Sequence, residues 1–322
     1  MSARDLAQAP GVMRHERRNL FGWTWKETQG FLFVLPWLIG FVLFTAGPFF
    51  FSFFLSFTSW RLVGDIKWLG LENYTTLLSG QDTRFVQSVY NTVYYVVFHV
   101  PGVLLISFII AGLLNRKVRF MPFYRTFFYL PSLTAGVATA VLWYWVLQPD
   151  GLLNNFLNVF LEPIGLSAPN WLGSTTWAMP GLIIMSFWTV GTTMILYLAG
   201  FQGIPQHLYE AAEIDGAGWW GKVRNVTIPM MTPTIFLTVV LGVIGSFQVF
   251  TSALIVTEGG PADATLFLLL YLYWNGFRFF KMGYASAIAW ILFFIILFLT
   301  IVQFALGRRW VYYEGERAGG NN

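Results

Sequence analysis

Long apolar stretches separated by short polar segments dominate this chain. Six stretches contain no Asp, Glu, Lys or Arg, and each can hold a helix of about 20 residues, the length that crosses a bilayer. Apolar and polar residues do not alternate within them, so the pattern predicts helices and not the strands of a transmembrane barrel. We place the spans near residues 30–56, 88–114, 122–147, 177–202, 230–257 and 284–306.

The composition agrees with this pattern. Hydrophobic residues make up 56% of the 322 residues and charged residues 11%, whereas a soluble domain carries about a quarter charged residues. A soluble enzyme, a coiled coil and a disordered chain are therefore excluded. The sequence predicts an all-α polytopic membrane protein with six transmembrane helices over 30–306, an N-terminal tail over 1–29 and a C-terminal tail over 307–322.

The distribution of basic residues predicts the orientation in the membrane. Fourteen of the 19 Lys and Arg residues fall on the two tails and on the loops that share their side, and five fall on the opposite loops. Basic residues accumulate on the cytoplasmic side of membrane proteins, so we expect both termini to be cytoplasmic. This orientation accounts for the net charge of +4 without any role for nucleic acid.

Apart from Arg125 at the start of the third, the predicted spans carry no Asp, Glu, Lys or Arg side chain. Ion-coupled carriers commonly bury such a group because it binds or relays the coupling charge, so its absence disfavours a stand-alone secondary transporter. His99 is the one histidine within a span, and packing is a simpler role for it than proton relay. The three histidines lie far apart in sequence and there is no cysteine, so we expect no catalytic site and no metal site.

Residues 216–223, GAGWWGKV, resemble a phosphate-binding loop only in part. The string ends in Val223 where a magnesium-binding hydroxyl is required, no strand precedes it, and two tryptophans occupy its centre. We therefore expect this chain to bind no nucleotide and no other cofactor.

The loop between spans four and five, residues 203–229, contains two predicted helical segments. Pro205 suits a first helical turn and Gly216 suits a helix end, which predicts a short helix lying across the membrane surface. One face of this helix carries Leu208, Ala211, Ala212 and Asp215. A second short helix through two tryptophans and Val223 should end before span five. From the residues alone, the segment is either an interfacial linker anchored by tryptophans or a docking surface for another protein.

A known motif matches this loop. The EAA loop of the membrane subunits of binding-protein-dependent ABC importers is similar to Glu210-Ala211-Ala212, Asp215-Gly216-Ala217, Val226-Thr227-Ile228-Pro229 and Pro233. Stretches at 143–154, 198–205 and 246–261 resemble the carbohydrate-uptake branch, the maltose- and glycerol-phosphate-type sugar permeases. The chain departs from that pattern at Val223, where these permeases usually carry Phe, and it lacks a large extracellular insertion.

The resemblance implies a type I ABC importer permease fold, in which the EAA helix docks in a cleft of a separate ATPase subunit. The residues then expected to couple the two subunits are Glu210, Ala211, Ala212, Asp215 and Gly216. Glu210 is expected to accept a charge-assisted hydrogen bond from the ATPase. The two alanines are expected to allow close approach, and Gly216 to let the chain turn without a Cβ clash.

The resemblance also indicates residues that line the substrate path. Aromatic faces, amides and hydroxyls bind sugars without charge, and 19% of the chain is aromatic. Phe247, Gln248 and Phe250 match the family's pathway segment, and Gln248 is an amide within a predicted span, where burial is costly. Weaker candidates are Trp188, Thr192 and Tyr197 in span four, with Asn91 and Tyr94 in span two as alternatives.

These features together predict a permease subunit of an ATP-driven importer of a sugar or oligosaccharide. Its expected partners are membrane lipid, a second homologous permease, two ATPase subunits that hold ATP and Mg, and an extracytoplasmic solute-binding protein. The expected location is a bacterial or archaeal cytoplasmic membrane. A permease for another neutral solute, such as an amino acid, a peptide or a polyol phosphate, is the alternative, and a stand-alone secondary transporter is a weaker one.

Overall fold

The computed structural model describes residues 25–116 and 119–312. In this part of the chain, helices alternate with loops, and an isolated bridge pairs Thr58 with Trp68. The first seven helices are α1 (Trp25–Phe41), α2 (Gly47–Leu55), α3 (Glu72–Leu78), α4 (Thr83–Leu114), α5 (Met121–Tyr129), α6 (Gly136–Val146) and α7 (Leu152–Leu161). They are followed by α8 (Ala178–Ser186), α9 (Gly191–Gly203), α10 (Gln206–Ile214), α11 (Trp219–Lys222), α12 (Ile228–Phe247), α13 (Leu268–Tyr273) and α14 (Met282–Gly307).

The chain divides into two compact units, Met1–Phe54 and Leu55–Asn322. The first unit contains α1 and, after a π turn at Val42–Ala46, nearly all of α2. Phenylalanines such as Phe33 and Phe44 are more than four fifths exposed in it. A helix that is apolar on its exposed surface is suited to lipid and not to water.

Four helical stretches in the described residues are long and apolar enough to cross a membrane: Gln29–Leu55, Thr83–Leu114, Trp219–Phe247 and Met282–Gly307. Two bent helix pairs, Met121–Leu133 with Gly136–Val146 and Ala178–Thr189 with Gly191–Gly203, raise the number to six if each pair is one span. The prediction of an all-α polytopic membrane protein is therefore confirmed.

The third predicted span, 122–147, is not one straight helix. Its two halves are bent by 96° relative to each other. The break follows Pro131, and Thr134 and Ala135 there adopt extended backbone conformations. A prediction from hydropathy misses this break, because the residues on both sides of it are apolar and hydropathy contains no information on backbone dihedral angles.

The fourth and fifth predicted spans are also interrupted. The fourth, 177–202, bends by 48° around a 3₁₀ turn at Phe187–Thr189. The fifth, 230–257, stops being helical at Phe247, and a separate π turn covers Ala253–Thr257. Both interruptions fall inside apolar sequence, so the predicted boundaries miss them.

The second short helix predicted in the loop before span five is not a separate element. Helical structure continues from α11 through a π turn at Val223–Thr227 directly into α12. The N–H of Ile228 donates to the carbonyl of Val223 across this wider turn. The turn directly precedes Pro229, whose nitrogen cannot donate to the helix ladder. The proline therefore sits inside a continuous helix of 29 residues.

α4 forms the scaffold of the second unit, since α8, α9, α12 and α13 all pack on it. Its polar side chains bind the backbone of its neighbours. Asn91 donates to the carbonyls of Asp263 and Leu266 (2.8 and 3.1 Å), and Thr92 accepts the N–H of Leu268 (2.9 Å). Burial of such polar groups is inexpensive only when they are paired in this way.

At the start of α4, one carboxylate ties three helices together. Asp82 is the N-cap of α4 and accepts the N–H of Phe85 at 3.0 Å. Its other oxygen accepts the hydroxyls of Tyr271 from α13 and Tyr284 from α14, each at 2.5 Å. Burial alone raises the pKa of the Asp82 carboxyl, but the hydrogen bonds from the two tyrosines and from the backbone outweigh it and hold the pKa below its usual range.

This arrangement predicts that Asp82→Ala destabilises the protein. The substitution removes a helix cap worth about 1 kcal/mol and leaves two tyrosine hydroxyls unpaired, which costs more than the cap alone. Because the pKa is lowered in the folded state, the stabilisation is complete at neutral pH and is lost only as the pH falls toward the folded value. Thermal unfolding of the purified protein in detergent should show a lower midpoint for Asp82→Ala than for the wild type.

Asp65→Ala is the matched control, because Asp65 is an exposed carboxylate in the same segment between α2 and α4. Equal midpoints for both variants and the wild type would show that the Asp82 hydrogen bonds do not contribute to stability.

Candidate functional site

The surface helix α10 has an inward and an outward face, and these differ from the predicted ones. Leu208, Tyr209 and Ala212 pack on the cluster formed by the ends of α4 and α9. Ala211 and Asp215, which were predicted to share the face of Leu208, are exposed. The predicted face is therefore displaced by about one position along the helix. Of the two alanines, Ala211 is exposed, whereas Ala212 is partly buried against this cluster.

The end of α10 confirms that Gly216 terminates a helix and shows why. Gly216 has a φ of +77°, in the left-handed region. Its N–H donates to the carbonyl of Glu213 (3.0 Å), and the next N–H, of Ala217, donates to Ala212 (2.9 Å). These two bonds form a Schellman end, which favours glycine at this position. No other part of the described chain lies within 4 Å of a Cβ built on Gly216, so it is the left-handed backbone conformation that requires the glycine, in agreement with the role expected from the sequence.

Two contacts join α10 to the helix that follows it. The hydroxyls of Tyr209 and Thr227 lie 3.0 Å apart, and the side chain of Glu213 pairs with Lys222. Thr227 belongs to the π turn that leads into α12. α10 is thus linked to the start of the fifth span by one hydrogen bond and one ion pair.

The outward face of α10 presents one carboxylate and one large apolar side chain. Glu210 is exposed, and one of its oxygens accepts the amide of Gln206 at 3.1 Å. Ile214, one turn further along, is 87% exposed. Sequence reasoning missed Ile214, although its spacing of four from Glu210 places both on one face. A protruding isoleucine beside a carboxylate at the end of a helical bundle is suited to contact with another protein.

The interruptions of spans three, four and five lie next to one another. A Cβ on Gly191, just after the break in span four, would lie 2.5 Å from the carbonyl oxygen of Phe128 in the first half of span three. A Cβ on Gly136, just after the break in span three, would lie 3.9 Å from a methyl group of Thr251, just after the break in span five. The rings of Trp143 and Trp188 also meet here, with centroids 5.9 Å apart.

Non-helical backbone within an apolar span is stable only where protein covers it or where it lines a water-filled cavity. Trp188, Thr192 and Gln248 are all exposed at or beside these breaks. Gln248 is the C-cap of α12, and its side-chain amide makes no hydrogen bond within the described part of the chain. The converging breaks are thus the best candidate for a solute path in this chain.

The other predicted path residues are placed differently. Tyr197 is 1% exposed and its hydroxyl lies 2.8 Å from that of Thr238, while Phe247 is 3% exposed in the core. Neither offers surface to a solute in this conformation. Phe250 is half-buried, with its ring packed edge-on against Tyr273 at 5.1 Å.

Asn91 and Tyr94, the alternative path residues in span two, differ in their contacts. Asn91 donates twice to backbone and accepts from Gln87 at 2.9 Å, so its role is structural. The ring of Tyr94 is tilted against that of Phe98, with centroids 4.7 Å apart, and Tyr94 lines a small cavity of about 220 Å³ to which Asn91 also contributes.

His99 is packed against the break in span four. Its Nδ1 lies 2.7 Å from the hydroxyl of Ser186, and its ring stacks on Tyr95 with centroids 4.8 Å apart. These contacts fit the packing role expected from the sequence.

Comparison with known proteins agrees with this geometry. The chain is 40% identical over 290 residues to the probable ABC transporter permease protein YesP of Bacillus subtilis (strain 168), covering 89% of this chain and 93% of that protein. It is 35% identical over 290 residues to the lactose transport system permease protein LacF of Rhizobium radiobacter, covering 88% of this chain and 95% of LacF.

A solved structure has the same fold. A chain in the crystal structure of a bacterial alginate ABC transporter, in complex with an alginate pentasaccharide-bound periplasmic protein, matches with a TM-score of 0.76 and 23% identity. The match covers 88% of this chain and 95% of that chain. The fold is therefore that of a type I ABC importer permease.

Residues 76–312, which include the helix breaks and α10, match the family described as binding-protein-dependent transport system inner membrane component. The chain therefore belongs to this family, as a multi-pass membrane component of such a transport system.

Proposed function

We propose that this chain is one of two permease subunits of an ATP-driven importer for a sugar or oligosaccharide. The observation that carries the proposal is α10, a surface helix whose Glu210–Ile214 face is exposed. Such a helix fits the coupling role of a subunit that takes its energy from a separate ATPase. The likeness to the lactose permease LacF over nearly the whole chain supports a carbohydrate substrate.

The complete importer would contain this chain, a second homologous permease, two ATPase subunits and an extracytoplasmic solute-binding protein. ATP and Mg are bound by the ATPase subunits, and this chain contributes no catalytic residue. The excess of Lys and Arg on the two tails and on the loops that share their side supports a cytoplasmic location for α10 and for both termini. The assembly would lie in a bacterial or archaeal cytoplasmic membrane.

The converging helix breaks support a neutral substrate. An indole, a hydroxyl and an amide, from Trp188, Thr192 and Gln248, are the groups that recognise sugar rings and their hydroxyls. A path of this composition can pass a sugar by successive stacking and hydrogen bonding, because no charged group must be desolvated. ATP-driven closure of the partner ATPases would move α10 and, through α12, the break at Gln248.

Glu210→Lys is expected to uncouple transport from ATP hydrolysis. The reversal replaces a charge-assisted hydrogen bond, worth about 1.5–3 kcal/mol, with a like-charge contact to a basic group of the ATPase. Sugar uptake by proteoliposomes of the assembled importer should fall by more than roughly tenfold. Glu162→Lys, an exposed reversal away from α10, is the control and should transport normally. Normal uptake by Glu210→Lys would remove α10 from the coupling interface.

Gly216 can be tested by a graded series of substitutions. Asn tolerates a positive φ better than Ala does, and the left-handed conformation is about 1–2 kcal/mol less favourable for an ordinary L-residue than the right-handed one. Transport-coupled ATPase activity should therefore decrease in the order Gly, Asn, Ala. If bulk at this position mattered instead, Ala would retain more activity than Asn.

Gln248→Ala should weaken uptake while assembly stays intact. Loss of one hydrogen bond to a sugar hydroxyl corresponds to about 0.5–1.5 kcal/mol, which is a several-fold increase in the sugar concentration needed for half-maximal uptake. Tyr197→Phe is the matched comparison, because it removes a buried hydrogen bond and should lower the unfolding midpoint without changing that concentration. An unchanged uptake curve for Gln248→Ala would exclude this residue from the path.

A further inference from the structure

An open crevice of about 570 Å³ lies at the N-terminal end of α4. It is enclosed by the loop before α4 and by the segment from Tyr271 to Tyr284. α10 packs near Leu114, at the other end of the same helix. α4 has 32 residues, so the two features are separated by about 48 Å along its axis. The crevice therefore opens on the side of the membrane opposite to α10.

Buried hydrogen bonds fix the walls of this crevice. Asp82 holds α4, α13 and α14 together through its two tyrosine partners. Asn73 donates to the carbonyls of Ser56 and Thr58 at 2.8 and 3.0 Å. The N–H of Gly283 donates to Trp60 at 3.1 Å. A preformed recess of this kind binds a partner without first paying to order its own backbone.

The charges in the crevice are not balanced. Its lining contains three cations, Arg61, Arg84 and Lys281, and one carboxylate, that of Asp82. Asp82 is saturated with hydrogen bonds, and Arg84 pairs with Asp263 at 3.0 Å. Arg61 and Lys281 are exposed and make no ion pair within the described residues. The recess thus carries a net positive charge, with two exposed cations that have no ion-pair partner in the described part of the chain, beside the half-buried indole of Trp60.

We propose that this crevice receives acidic side chains of the solute-binding protein when it docks on the outer face of the permease. The proposal rests on the proposed function, because a binding-protein-dependent importer must dock that protein on the side opposite to its ATPases. A neutral sugar gains little from two cations, whereas a carboxylate on a protein surface is complementary to them. Exposed charges at the rim of an interface mainly raise the association rate, which suits a partner that docks and leaves in every transport cycle.

The test is the ATPase activity of the reconstituted importer as a function of the concentration of sugar-loaded binding protein. The double variant Arg61→Glu/Lys281→Glu should need about ten times more binding protein for half-maximal stimulation, because the charges now repel it. The remaining dependence of this concentration on salt should be weaker than in the wild type. Introducing a basic residue at the facing acidic position of the binding protein should restore the wild-type concentration, which a merely structural defect would not allow.

Lys67→Glu and Arg278→Glu are the matched controls. Both reverse an exposed charge in the outer loops, but neither residue lines the crevice. They should leave the half-saturating concentration within about twofold of the wild type. The same large increase in these controls would assign docking to the general charge of the outer face and overturn the crevice as its site.

Two further results would also overturn the proposal. The first is an unchanged half-saturating concentration in the double variant. The second is a double variant that docks the binding protein normally, as measured by surface plasmon resonance, while the sugar affinity of the assembled importer changes. That result would assign the crevice to the substrate. Failure of the proposed function is distinct from both, because the wild-type chain would then co-purify with no ATPase subunit or show no stimulation by any binding protein.

Discussion

Each backbone N–H and C=O group in an apolar environment needs a hydrogen-bond partner, and this requirement governs the structure. Unbroken helices such as α4 and α14 meet it internally. Where helices break, nearby groups take over: the hydroxyl of Ser107 donates to the carbonyl of Val190 at 3.1 Å, and the N–H of Gln248 donates to Gly245 at 3.1 Å. The chain can therefore contain irregular backbone within its spans at positions where other groups hydrogen-bond the backbone N–H and C=O groups that lack a helical partner.

The same requirement explains which parts of the architecture were predictable. Hydrophobic patterning predicts where apolar helices occur, and the spacing of residues 210–217 predicts the surface helix and its glycine end. It does not predict the breaks near Pro131, Phe187 and Phe247, because these depend on local dihedral angles inside uniformly apolar sequence. The helix breaks, which are the candidate site of a solute path, are thus the features that the hydrophobic pattern of the sequence does not predict.

The candidate site residues show a second limit. A resemblance selects a stretch of sequence, but it does not say which side of that stretch faces the protein interior. Gln248 is exposed while its neighbour Phe247 is in the core, and Thr192 is exposed while Tyr197 is buried. On α10 the inward face is displaced by about one position from the predicted face, so that Ala211 and Asp215 are exposed while Tyr209 packs inward. Ile214 was missed because a single isoleucine in a polar segment produces no periodic signal.

The continuous helix from Trp219 to Phe247 has a mechanical consequence. With 29 residues and a rise of 1.5 Å per residue, it is about 43 Å long. A rigid rod of that length that pivots by 10° at one end moves its other end by roughly 7.5 Å. Because the π turn keeps the helix continuous past Pro229, a small rotation at its Trp219 end becomes a displacement of several ångströms at Gln248.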